Sequence, residues 1–286
     1  MKQKTLYVTD MDGTLLDGHS HVSVGSALML NKAIAQGALV TVATARTPAT
    51  AVKLLHGVHI GLPLIVMSGA AWWDMAAKRY RHVQAIAPAV VRAIVAECER
   101  SGIHPFVYQQ QGDMLHAYHR GAMLPHEEVF VSQRQFTPFK RFHLQGFDLA
   151  AACGHTMLVF TMRDYETLVP LHERLCRLPG CMPCLSHDVT AGGMGLLEVY
   201  APGTTKAAAI ACLAREVGAE RVVAFGDNRN DIAMMRAATV AVAVENAFDE
   251  VKAVAHEVIG RNEDDAVARW ILADVERQKN VAKTLQ

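Results

Sequence analysis

The chain has 286 residues, long enough for one large or two modest domains with real cores. Hydrophobic residues make up 51% and charged residues 20%, a globular balance rather than a disordered one. Lys+Arg and Asp+Glu both number 28, so no net charge marks the chain for nucleic acid or an acidic membrane surface. No apolar run approaches the ~20 residues that span a bilayer. Lys2 and Lys4 lead straight into a short strand rather than a signal peptide. Six scattered cysteines do not form a secreted disulfide framework. A cytoplasmic protein with a small-molecule partner is expected, and nothing here sets an oligomeric state.

The apolar run Leu6-Tyr7-Val8-Thr9 predicts a buried strand that ends at Asp10-Met11-Asp12-Gly13-Thr14. Val24 to Ala35 has helical spacing, closed by Gly37, and Ala38 to Thr44 is a second buried strand. Pro48 opens a helix to about Leu55, and Leu64 to Met67 is a third strand ended by Ser68-Gly69. This βαβα order implies a parallel sheet with right-handed crossovers. From about residue 83 the texture changes. A helix from Pro88 to Arg100 precedes paired strands, 105–109 and 114–119, around Gln111-Gly112-Asp113. The chain up to Asp188 is richer in His, Gln, Phe and Pro, and 191–195 reads as a hinge. Alternation then resumes. Leu196 to Tyr200 is extended, and Thr204 or Thr205 caps a helix through Val217. Arg221 to Phe225 is a strand, Asp231 to Ala237 a helix, Val240 to Val244 a strand, and 264–277 a final helix. The expected architecture is an α/β core over residues 1–82 and 189–286, with a smaller α/β domain inserted at 83–188.

Four stretches fall at strand or helix ends, where one site could gather. Asp10 can serve as nucleophile or hard oxygen ligand, and Asp12 can exchange protons with a leaving or entering oxygen. Thr44 ends its strand and can donate to a phosphoryl oxygen, while Arg46 can fork onto a phosphate or substrate oxygen. Lys206 sits at a helix N-terminus, where the macrodipole disfavours a cation unless an anion is near. Gly226-Asp227-Asn228-Arg229-Asn230-Asp231 packs two carboxylates and two amides behind a strand, a set suited to Mg²⁺. Each stretch alone also reads as an ordinary turn, cap or exposed cation. Together they hold what phosphoryl transfer requires.

With D-M-D-G-T-L-L, A-T-A-R, L-E-V-Y-A-P-G-T-T-K and G-D-N-R-N-D-I-A-M-M in this order, the chain resembles the haloacid dehalogenase-like hydrolases. Within them it is similar to the Cof-type phosphatases with an inserted α/β cap. The resemblance implies a doubly wound, Rossmann-like core, and a Mg²⁺-dependent phosphatase acting on small phosphomonoesters such as sugar phosphates. It implies that Asp10 forms an aspartyl-phosphate, and that Asp12 is the general acid/base and contributes to the metal site through its carbonyl. Met11, Thr44, Ala45, Arg46, Lys206 and Asn230 would line the phosphate, and Asp10, Asp12, Asp227 and Asp231 would hold the metal. Ala45, Ser68 and Ala207 depart from the family's usual T-G-R, N-G-A and Gly, which bears on substrate fit rather than reaction class. A phosphomutase or a non-enzymatic phosphoacceptor would use the same groups.

In the inserted segment His116, Tyr118, His119 and Gln109 to Gln111 could face a substrate, or stand as surface polar residues. Cys181-Met182-Pro183-Cys184 has metal-site spacing, with His172, Cys176 and His187 near in sequence. With no second C-x-x-C, unliganded thiols are expected. Trp72 and Trp73 are expected in the core.

Overall fold

The computed structural model describes residues 3–144, 155–187 and 193–284. Two compact units divide the chain: Met1–Lys78 with Thr205–Gln286, and Arg79–Thr204. In chain order the first unit supplies strands β1 (Thr5–Thr9), β2 (Leu39–Val42), β3 (Leu64–Val66) and β4 (Ala71–Asp74). The second supplies β5 (Arg79–Arg81), β6 (Phe106–Gln111), β7 (Met114–Tyr118), β8 (Lys140–His143), β9 (Thr156–Asp164), β10 (Met182–His187) and β11 (Met194–Tyr200). The first unit then resumes with β12 (Arg221–Gly226), β13 (Val240–Val244) and β14 (Glu257–Ile259).

In the first unit the sheet order is β14-β13-β12-β1-β2, and every pairing is parallel. One parallel bridge, Ala43 to Ile65, carries the sheet from β2 toward β3, and β4 folds back antiparallel on β3. Strands covered on both faces read as unbroken apolar runs. Leu6, Val8, Val40, Val42, Val223, Phe225, Val242 and Val244 are accordingly all buried, as are Trp72 and Trp73. The chain winds outward from β1 through β2 and β3 on one side, and from β12 through β14 on the other. The strand order therefore reverses between β1 and β12. Open α/β sheets bind ligands at such a point, beyond the carboxyl ends of the strands.

The second unit carries a sheet of order β10-β11-β9-β6-β7-β8, antiparallel except where β8 joins β7 in parallel. Helices Pro88–Arg100 and Tyr165–Cys176 cover one face, where Val91, Ile94, Leu168 and Leu171 meet Val107, Val159 and Leu197. Phe130, Phe142 and Tyr108 ring the Lys140 ammonium, with Phe106 and Phe160 packed beside them.

The paired strands expected around Gly112 form as β6 and β7. The expected boundary at Asp188 lies outside the described residues, as do positions 191 and 192 of the expected hinge. Residues 196–200, expected in the first unit, belong to β11, which pairs with β9 and β10 inside the second unit's sheet. An alternating apolar run announces a strand, but not the sheet that takes it up.

Candidate active site

Register places the two acidic motifs side by side. Thr9 of β1 lies level with Phe225 of β12, and the amide of Asp10 donates to the Phe225 carbonyl at 3.0 Å. Both strands therefore release their next residues at the same edge, Asp10 from one and Asp227 from the other. Beyond Asp10 the chain closes a tight loop, with the Leu16 amide donating to the Met11 carbonyl at 2.8 Å. Gly13 makes this loop possible. Its φ is +74°, and a Cβ there would stand 2.4 Å from the Asp227 carboxylate.

Lys206 is the first residue of the helix Lys206–Glu216, whose N-cap Thr205 accepts from the Ala208 amide at 3.0 Å. Its side chain runs inward, leaving the residue 4% exposed. The ammonium donates to Asp10 Oδ1 at 2.5 Å and to Asp231 Oδ1 at 2.7 Å. The anions that justify a cation at this helix end are thus two carboxylates of the protein itself. The helix start is fixed from outside by Gly69, which packs so close to the Thr205 carbonyl that a Cβ would lie 2.4 Å from it.

Asp231 is fully buried, and its other oxygen accepts from the amides of Asp227 and Asn228, each at 3.2 Å. With both oxygens engaged, Asp231 braces Lys206 and the turn. Asp227 accepts from the Thr14 hydroxyl at 2.7 Å through one oxygen, leaving the other toward Gly13. One carboxylate oxygen from each of Asp10, Asp227 and Asp231 lies within 4.8 Å of the others. Burial pushes Asp227 up to about 6, an effect the Thr14 hydrogen bond opposes and the charge of Asp231 reinforces. Burial also pushes Asp10 up, against the pull of Lys206, while its two carboxylates hold Lys206 above the ordinary lysine range despite burial. Three acidic groups around one ammonium leave an excess of negative charge, and a hard divalent cation with oxygen ligands fits that excess.

Thr44 is buried at the end of β2, its amide bonded to Ile65 and its hydroxyl accepting from the Arg46 amide at 3.1 Å. Arg46 does not stand free for a phosphate, as its sequence position suggested. It forks onto Asp12, with Nε to Oδ2 at 2.7 Å and one terminal nitrogen to Oδ1 at 2.5 Å. The Asp12 carboxylate is thus held by Arg46 and is not one of the three gathered from Asp10, Asp227 and Asp231, in keeping with an expected part in the metal site through the Asp12 carbonyl rather than its side chain. Met11 is buried, Ala45 is exposed on the loop after Thr44, and Asn230 is exposed on the turn Arg229–Asp231.

Two residues outside the expected set shape the site. Thr14 holds Asp227 and was visible only as the last letter of the D-x-D-G-T run. Asn246, after β13, donates to the Gly13 carbonyl at 2.7 Å and so pins the loop, and no sequence signal marks it.

The second unit corrects two expectations. His119 and Gln109 are buried, so neither is a surface polar residue, and His119 stacks on Phe106 with ring centroids 4.5 Å apart. His116 and His143 meet at 2.8 Å between ring nitrogens, and His143 stacks on Tyr118. Cys176, Cys181 and Cys184 are free thiols, and among the described residues they form no metal-ligating group with His172 or His187.

A sequence profile of haloacid dehalogenase-like hydrolases matches residues 7–271. The 5-amino-6-(5-phospho-D-ribitylamino)uracil phosphatase YcsE of Bacillus subtilis is 25% identical over 93% of this chain and 96% of its own length. The pyridoxal phosphate phosphatase YbhA of Escherichia coli is 58% identical over 52 residues, covering 18% of this chain and 19% of its own. Among solved structures, a haloacid dehalogenase-like hydrolase from Bacteroides thetaiotaomicron superposes with a TM-score of 0.77 at 22% identity. That match covers 93% of this chain and 98% of the other. The profile match runs from within β1 into the last helix and takes in both acidic motifs, Thr44 and Lys206: the chain belongs to the haloacid dehalogenase-like hydrolases.

Proposed function

We propose that the chain is a cytoplasmic, Mg²⁺-dependent phosphatase of small phosphorylated metabolites that works through an aspartyl-phosphate on Asp10. The observation that carries this reading is the buried Asp10–Lys206–Asp231 chain of charge beside Asp227. A carboxylate nucleophile needs a fixed direction of attack, and a transferring phosphoryl group needs neutralised oxygens. Lys206 supplies the first by holding one oxygen of Asp10 and contributes to the second as a buried cation. Mg²⁺, held by Asp10 and Asp227 with Asp231 braced behind them and the Asp12 carbonyl as a further ligand, would neutralise phosphoryl oxygens when bound.

Asp10 attacks phosphorus, the bond to the ester oxygen breaks, and Asp12 gives that oxygen its proton. Asp12, now a carboxylate, accepts a proton from water as the water attacks the phosphoryl group on Asp10. Phosphate leaves and both aspartates return to their starting states. The Thr44 hydroxyl, Asn230 and the backbone around Met11 and Ala45 are the remaining contacts for the phosphoryl oxygens. The named relatives act on small phosphorylated molecules, which supports a metabolite of that kind as substrate here.

The test is phosphate release from a panel of phosphorylated metabolites, with Mg²⁺ and with chelator. Release is expected only with the cation, and Asp10→Asn is expected to lower it by at least a thousandfold while circular dichroism stays unchanged. Full turnover in that variant would remove Asp10 as nucleophile.

A further inference from the structure

We propose that Arg46 is a positioning residue for Asp12, setting the direction of proton delivery to the leaving oxygen, rather than a ligand of the phosphoryl group. This rests on the reading of Asp12 as the general acid.

The geometry is that of a fork closed on a carboxylate. Nε and one terminal nitrogen of Arg46 each take a different oxygen of Asp12, at 2.7 and 2.5 Å, which fixes the plane of the carboxyl as well as its place. Asp12 needs such a hold. Its side chain is 51% exposed, and among the described residues Arg46 is its one ion-pair partner. Left alone, an exposed carboxyl group samples several rotamers, only one of which can carry its proton to a leaving group.

Both ends of the fork are rooted. The Arg46 amide donates to the Thr44 hydroxyl at 3.1 Å, and its carbonyl accepts from the Met67 amide at 3.0 Å. The loop bearing Asp12 is closed by the Leu16 amide on the Met11 carbonyl and tied down by Asn246 on the Gly13 carbonyl. The cation already beside the nucleophile is Lys206, whose ammonium pairs with Asp10 and Asp231 and not with Asp12. A half-exposed pair adds little to stability, so a defect on its removal would come from misplacing Asp12 rather than from unfolding.

An acid that protonates a leaving oxygen matters in proportion to how poorly that oxygen leaves. p-Nitrophenolate departs without help, whereas an alkoxide does not. Loss of positioning must therefore be felt on alkyl phosphates and largely spared on p-nitrophenyl phosphate. Loss of a phosphate contact would be felt equally on both and would raise KM. The experiment measures kcat and KM for wild type, Asp12→Asn, Arg46→Gln, Arg46→Lys and the double variant Asp12→Asn/Arg46→Gln, on p-nitrophenyl phosphate and on an alkyl phosphate such as glycerol 1-phosphate. Inorganic phosphate inhibition is read alongside.

We expect Arg46→Gln to lose at least tenfold more kcat on the alkyl ester than on the aryl ester. KM and phosphate inhibition should change less than threefold. Arg46→Lys, which keeps the charge without the fork, should recover only part of the loss. The double variant should be no worse than Asp12→Asn alone. Equal losses on both esters, with raised KM and weakened phosphate inhibition, would overturn the inference and return Arg46 to the phosphate. If Asp12→Asn itself shows no contrast between the esters, Asp12 is not the acid and the inference falls with that reading. If Asp12→Asn shows the contrast and Arg46→Gln does not, the inference alone fails.

Discussion

At the scale of single residues, the site depends on close approaches as much as on charged groups. Gly13 is the clearest case, because its positive φ and its contact with Asp227 leave no room for a methyl group. Gly13→Ala would strain the loop by about 1–2 kcal/mol from backbone conformation alone. It would also push Asp227 off the Thr14 hydroxyl and away from Asp10. We expect a modest fall in thermal stability and at least a tenfold loss of cation-dependent phosphate release, with the Mg²⁺ concentration for half-activity raised. Wild-type values for both would show that Asp227 need not be held where it is. The same residue marks how far sequence reading reaches. That Asp10, Asp227, Asp231 and Lys206 gather in one place is legible because acidic and basic residue types stand at strand and helix ends. The partner of Arg46 is not, since a guanidinium forks equally well onto a phosphate or a neighbouring carboxylate. Asn246 is invisible for another reason: an amide that caps one carbonyl in a distant loop leaves no pattern in the chain.

Among elements, most strands and helices of the first unit were predictable because they are short apolar runs ended by glycine or a cap, whereas β4, β14 and the short helix Asp249–Lys252 were not among those expected. The second unit was less so. Its β8 begins with a lysine that sequence would place in solvent, yet Lys140 is buried with its ammonium over the Tyr108, Phe130 and Phe142 rings and bonded to the Tyr108 hydroxyl at 2.9 Å. Burial lowers its pKa from 10.5 to about 7, and Arg134 adds to the effect. The ring faces attract the ammonium by up to ~2 kcal/mol and offset part of that cost. Between about pH 7 and 10.5 the unfolded chain holds a proton at this position that the folded chain has released. Stability contributed by Lys140 must therefore rise as pH rises through that window, and below about pH 7 the full cost is present. Lys140→Met removes the titration while filling the same space. We expect the variant to be more stable than wild type at pH 6, and the difference to shrink by pH 10, read as thermal midpoints across the range. A difference independent of pH would mean that the ammonium stays protonated inside the rings.

Over the whole molecule, the division into two units follows from where the apolar surface lies. The second unit closes its own core between the helices Pro88–Arg100 and Tyr165–Cys176 and its sheet. All the groups assigned to chemistry come from the first unit, namely Asp10, Asp12, Thr44, Arg46, Lys206, Asp227 and Asp231. Cation binding and the titration of Lys140 should then act on different bodies. A cation that binds only the folded state stabilises it by about 2.7 kcal/mol at a hundredfold excess over its dissociation constant. For a unit of this size that corresponds to roughly 5–10 °C. Calorimetry is expected to resolve two transitions. Mg²⁺ should raise the one belonging to the first unit, and Asp227→Asn should abolish that rise. Lys140→Met at pH 6 should raise the other and leave the Mg²⁺-sensitive transition where it was. One transition that responds in full to both changes would show that the units unfold as a single cooperative body, because separate cores then could not be separating their stabilities.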